Sequence, residues 1–87
     1  MSKFDDKTKQ LIAEYHQYQG DGHAIPVKRI HHPGGGNAVL VHFRNAEGVK
    51  YSSLDTIAHG RDGEYATELF SSERANENDM IQTYLEL

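Results

Sequence analysis

The sequence predicts an α+β fold: an N-terminal helix, a three- to four-stranded antiparallel meander and a C-terminal helix. Three observations lead there. Apolar residues recur at helical spacing near both ends of the chain, short alternating runs fill its middle, and turn-forming residues separate those runs. Meandering short strands also permit a competing architecture, an SH3-like small barrel with helical extensions. With 87 residues, the expectation is one domain spanning 1–87 around a modest core.

The first helix is expected over residues 5–19. Phe4, Leu11, Ile12, Tyr15 and Tyr18 form its apolar stripe, and Lys3, Lys7, Lys9, Glu14 and Gln17 fill much of the rest. Ser2 with Asp5 resembles a capping box, and Gly20, ahead of Asp21 and Gly22, supplies the stop.

Residues 24–31 read as a strand with Ile25, Val27 and Arg29 on one side. Pro26 lacks an N–H, which assigns this strand to an edge. Residues 37–45 give the strongest strand, with Val39, Val41 and Phe43 on one face and Leu40 and His42 on the other. A third strand starts at Val49. A three-residue loop of Ala46, Glu47 and Gly48 would set Phe43 opposite Tyr51 and Val41 opposite Ser53, with Gly48 in the left-handed position that such loops need. By the same logic Val27 faces Val41 and Ile30 faces Ala38. Pro33, Gly34, Gly35 and Gly36 then fall at a hairpin tip.

Residues 55–63 suggest a short helical turn followed by a loop. Residues 64–70 alternate Tyr65, Thr67 and Leu69 against Ala66, Glu68 and Phe70, which favours a fourth strand, although the same letters could open a helix. Asn76 with Asp79 marks the start of the last helix, and Met80, Ile81, Tyr84 and Leu85 form its stripe.

Composition excludes several function classes. There is no cysteine, so no disulfide framework or thiolate metal site exists. The opening ten residues have no apolar leader segment, and no run approaches a membrane span. The expectation is a cytoplasmic protein without membrane contact. The net charge of −4 is uneven. Lys28, Arg29, Arg44 and Lys50 face only Glu47 over residues 23–51, whereas residues 62–87 hold seven acids and Arg74 alone. An acidic end repels nucleic acid and attracts basic protein surfaces.

The triple glycine precedes a strand, lacks a Gly-Lys-Ser/Thr ending and opens no helix, so it does not read as a phosphate loop. His16, His23, His31, His32, His42 and His59 show no metal-ligand spacing. A set such as His23, His32 and His59 with Asp21 or Asp62 could gather, but no spacing selects it, so neither a metal nor another cofactor is expected. Asp55 and His59 would meet on one helical turn as a local hydrogen bond; Ser52 and Ser53 lie nearby without an oxyanion device. No enzymatic activity is expected.

Five tyrosines, three phenylalanines and two methionines exceed what a small core absorbs. Tyr15, Tyr18, Tyr65 and Tyr84 sit where a partner could cover them. The expectation is therefore a non-enzymatic, acidic protein-binding domain. Its character matches phage-encoded anti-defence inhibitors, which would occupy a basic, nucleic-acid-binding surface of a partner protein. Candidate contacts are Glu64, Glu68, Glu73, Glu77 and Asp79 with the turn of Gly34, Gly35 and Gly36. The alternative is a sheet-based module that binds nucleic acid or peptide through Lys28, Arg29, Arg44 and Lys50. Direct nucleic-acid binding is disfavoured by the acidic total, and a homodimer stays open.

Overall fold

A computed structural model describes residues 4–87. Helix α1 (Asp6–Tyr18) leads into strands β1 (Gly22–His31), β2 (Asn37–Arg44), β3 (Lys50–Gly60) and β4 (Gly63–Glu73). A 3-10 turn (Arg74–Asn76) then joins helix α2 (Glu77–Leu85). The strands form one open antiparallel sheet in the order β1-β2-β3-β4. The α+β meander is therefore the architecture, and the sheet does not close into the barrel alternative.

The helices take opposite faces of the sheet. Phe4 and Ile12, with Leu11 and Tyr15, pack on Val39, Val41, Phe43 and Ala66. Met80 and Tyr84, with Ile81 and Leu85, pack on Ala38, Leu40 and Leu54. Strand β2 is thus covered on both sides, which is why its residues 38–41 are all buried. Tyr18 leaves the predicted stripe and stands 89% exposed.

The caps explain where α1 begins and ends. The Asp5 carboxylate accepts the Thr8 N–H at 2.8 Å, so Asp5 is the N-cap. Ser2, expected in that role, lies outside the described residues. At the other end the Asp21 N–H donates to the His16 carbonyl and the Gly20 N–H to the Gln17 carbonyl, at 2.8 and 3.0 Å. This paired closure needs a left-handed residue, and Gly20 supplies it with φ of 87°. It also places Asp21 beneath the last turn of the helix. Asn76 holds the cap position of α2, but its side chain makes no capping bond.

The predicted β2–β3 register is observed: Phe43 faces Tyr51 and Val41 faces Ser53. The β1–β2 register is observed only at its hairpin end, where Ile30 faces Ala38. Val27 is an extra residue between Pro26, opposite Val41, and Lys28, opposite Leu40. The expected Val27–Val41 pair is lost because the ladder breaks beside a residue that has no N–H.

Two further expectations fail. Residues 55–60 are neither helical nor loop; they continue β3 and pair with β4, so Asp55 and His59 never share a helical turn. Leu69 is also an extra residue, between Glu68 opposite Asp55 and Phe70 opposite Leu54. Ala66 therefore packs on the α1 side and Phe70 on the α2 side, although plain alternation puts both on one face.

Candidate functional site

Beneath α1 lies a buried polar cluster that the helix and sheet assemble together. His16, in the last turn of α1, has both ring nitrogens engaged: Nδ1 with the Asp21 carboxylate at 2.8 Å and Nε2 with the Asp55 carboxylate at 2.7 Å. The Ser53 hydroxyl donates to the second Asp55 oxygen at 2.8 Å. Glu68, opposite Asp55 on β4, brings a third carboxylate to within 4.8 Å of the His16 and Asp55 ligand atoms. The imidazole also packs on Phe43, with ring centroids 4.5 Å apart.

Burial and neighbouring charges shift the titration of the cluster. Burial works against a charged His16, but hydrogen bonds to Asp55 and Asp21, and the charges of both, outweigh it and raise its pKa above the usual imidazole value. Burial raises the Glu68 pKa, and the Asp55 charge adds to that rise. Burial likewise raises the Tyr15 hydroxyl pKa, with Glu68 and Asp55 contributing. A doubly hydrogen-bonded imidazole ring thus sits among three carboxyl groups.

Ser53, His16 and Asp21 follow the connectivity of a nucleophilic triad, yet the geometry does not suit one. Ser53 Oγ lies 3.4 Å from His16 Nε2, while Asp55 holds that nitrogen at 2.7 Å. Ser53 is also wholly buried. A nucleophile needs room for a substrate beside it, and a hydroxyl with no exposed surface leaves none. The cluster ties α1 to the sheet.

A smaller polar group lies on the opposite face. The Glu77 carboxylate, in the first turn of α2, accepts from Ser52 Oγ at 2.7 Å and pairs with His42 Nε2 at 2.6 Å. Burial opposes its charge, but these two bonds prevail and lower its pKa. Arg74 donates to the carbonyls of Phe43 and Tyr51 at 3.1 and 3.2 Å, which secures the turn into α2.

A groove of about 390 Å³ runs between α1 and β4. Leu11, Glu14, Tyr15 and Tyr18 line the helical side, and residues 64–67 line the strand side. Successive strand side chains point to opposite faces, so four consecutive residues around one groove mean that it runs along the strand's edge. Strand β4 pairs with β3 alone among the described residues, so the backbone groups on its outer edge have no strand partner. Tyr18 and Tyr65, the latter 51% exposed, flank it, and Glu14 and Glu64 add negative charge. The other edge is blunted by Pro26, the Val27 bulge and the adjacent Lys28 and Arg29.

The predicted contact residues are dispersed. Glu64 pairs with Lys7, Glu68 turns towards His16, and Glu77 is held by His42. Glu73 and Asp79 are exposed. Gly34, Gly35 and Gly36 lie at the β1–β2 tip, at the opposite end of the sheet from Glu73 and Glu77. The Gly34 N–H donates to the His32 ring at 2.9 Å and the Gly35 N–H to the His32 carbonyl at 3.0 Å, so the segment is a turn.

The basic residues also divide. Lys28 and Arg29 face Leu40 and Val39, whereas Arg44 pairs with Lys50 at the far end of β2. Arg29 stacks over the Phe4 ring at 5.0 Å, and Arg44 donates to the Gly48 carbonyl. Phe43 is buried, as its expected core role requires. Sequence spacing had no means of finding the His16 cluster, whose members lie on α1, the turn that follows it, β3 and β4. The one available signal was the alternation of Tyr51, Ser53, Asp55 and Ile57, which extends the strand through Asp55.

Among the described residues, no helix is long and apolar enough to cross a membrane. Compared with protein-family models, curated proteins and solved structures, the chain matches none.

Proposed function

We propose that this chain is a non-enzymatic protein-binding domain whose contact surface is the α1–β4 groove. The observation that carries this reading is the outer edge of β4 beside residues 64–67, flanked by exposed Tyr18 and Tyr65. An extended segment of a partner would add to β4 through main-chain hydrogen bonds, and the tyrosines would cover its side chains. Glu14 on the rim, with exposed Glu73 further along, favours a basic segment. Two copies would bring the same acids together, so a different, basic protein is the better partner than a second copy. A domain of this kind acts as an inhibitor, of the phage anti-defence type, when the basic segment it covers otherwise binds nucleic acid.

The test compares baits in a native lysate, with captured proteins identified by mass spectrometry. The wild type is set against Tyr18→Ala/Tyr65→Ala, against Glu64→Lys/Glu73→Lys and against Lys28→Glu/Arg44→Glu. Loss of one basic protein from the first two baits, and its retention by the third, supports the reading. The reverse pattern would favour nucleic-acid or peptide binding through the basic strand residues, and a gel-shift assay would then follow.

A further inference from the structure

We infer that His16, Asp55 and Glu68 form a binding site for a divalent transition-metal ion, with Zn²⁺ as the probe ion. These side chains come from α1, β3 and β4, and each places one ligand atom within 4.8 Å of the others. One imidazole nitrogen and two carboxylates are a donor set for Zn²⁺ and similar ions. They leave a coordination position for water.

The surroundings match what a metal site requires of its supporting groups. Asp21 accepts from His16 Nδ1 at 2.8 Å, the carboxylate–histidine arrangement that orients the other nitrogen towards an ion. Ser53 fixes the orientation of Asp55 through the bond at 2.8 Å. Charge supplies the attraction. Asp21, Asp55 and Glu68 are three carboxylates facing one imidazole, and no Lys or Arg pairs with any of them among the described residues. Asp55 is fully buried, so water does little to offset this excess.

An ion also has a way in. A groove of about 240 Å³, lined in part by Asp21, Glu68, Gln19 and Ser71, opens on the exposed side of the cluster. The ion takes the place of the proton that now bridges His16 Nε2 and Asp55, 2.7 Å apart. Ligand atoms around a tetrahedral ion with bonds of ~2.0 Å sit ~3.3 Å apart, so modest side-chain rotations suffice. Bound there, the ion would pin α1, β3 and β4 together. The inference does not depend on the protein-binding reading.

The experiment is calorimetric titration of ZnCl₂ into the full chain after chelator treatment. One-to-one binding is expected. Glu68→Gln, near-isosteric at a half-buried position, should weaken it at least ~10-fold, and His31→Asn/His32→Asn should leave it unchanged. Paramagnetic Co²⁺ supplies a readout that needs no variant: NMR signals of His16, Ser53 and Glu68 should be affected first. The inference is overturned by the absence of stoichiometric binding or by wild-type affinity in Glu68→Gln. Loss of binding in the His31/His32 variant, or Co²⁺ effects confined to surface histidines, would indicate an adventitious ion only and overturn it equally.

Discussion

Replacing His16 with alanine tests the junction between α1 and the sheet. The substitution removes both ring hydrogen bonds, at 2.8 and 2.7 Å, and the ring contact with Phe43. It leaves the Asp55 carboxylate, 0% exposed, with the Ser53 hydroxyl as its remaining side-chain partner. Breaking a buried ion pair by deleting one member costs about 3–5 kcal/mol, since the other charge stays behind uncompensated. At roughly 0.05–0.15 kcal/mol per residue, a chain of this size has a total stability of about 4–13 kcal/mol. The loss is thus about a quarter of that total or more. With a urea m-value of about 1 kcal/mol/M, the unfolding midpoint should fall by ~3–5 M.

The assay is urea unfolding of chelator-treated protein, followed by circular dichroism. Asp55→Ala and the double variant complete a cycle, and the double variant should lose about 0.5–3 kcal/mol less than the sum of the singles. Single costs below ~1 kcal/mol that simply add would refute the reasoning, because they would mean that the buried charges carry no mutual dependence.

Other perturbations bear on separate parts of the molecule. The folded-state pKa of Glu77 lies below its unfolded value, so its contribution is fully present above the ordinary carboxylate range and is lost as pH falls through the lowered value. In Glu77→Gln, urea midpoints measured from neutral to acidic pH should start lower and fall less steeply. Gly48 has φ of 82° with nothing within 4 Å of an added Cβ, so Gly48→Ala should cost only backbone strain, about 1–2 kcal/mol, read as a drop in Tm. Leu40→Ala removes a side chain buried between β2 and α2, and chemical denaturation should show a loss of about 2–5 kcal/mol. Tyr18→Ala should leave stability within ~0.5 kcal/mol while abolishing partner capture; a bait that still captures the partner would count against the groove.

Local chemistry made much of the fold legible. The stripe of Leu11, Ile12 and Tyr15 marks α1, and Gly20 marks its end, because both signals act within a few residues. Gly48 and the Phe43–Tyr51 pair set the β2–β3 hairpin for the same reason. The misses fall where the deciding interaction is distant. Asp55 is disfavoured in strands, and pairing with β4 extends β3 through it. Bulges at Val27 and Leu69 depend on how whole strands align, so strict alternation placed Phe70 on the wrong face.

The amino-acid order alone determined the two helices and the first three strands, the central hairpin register and the acidic, cysteine-free character of the chain. Each of those follows from near neighbours or from composition. Tertiary structure decided that the helices take opposite faces and that β4 presents an open edge beside Tyr18. It also decided that His16 meets Asp55 across 39 positions. Such encounters are set by how the sheet twists and how the helices settle on it, and spacing along the chain carries no record of that.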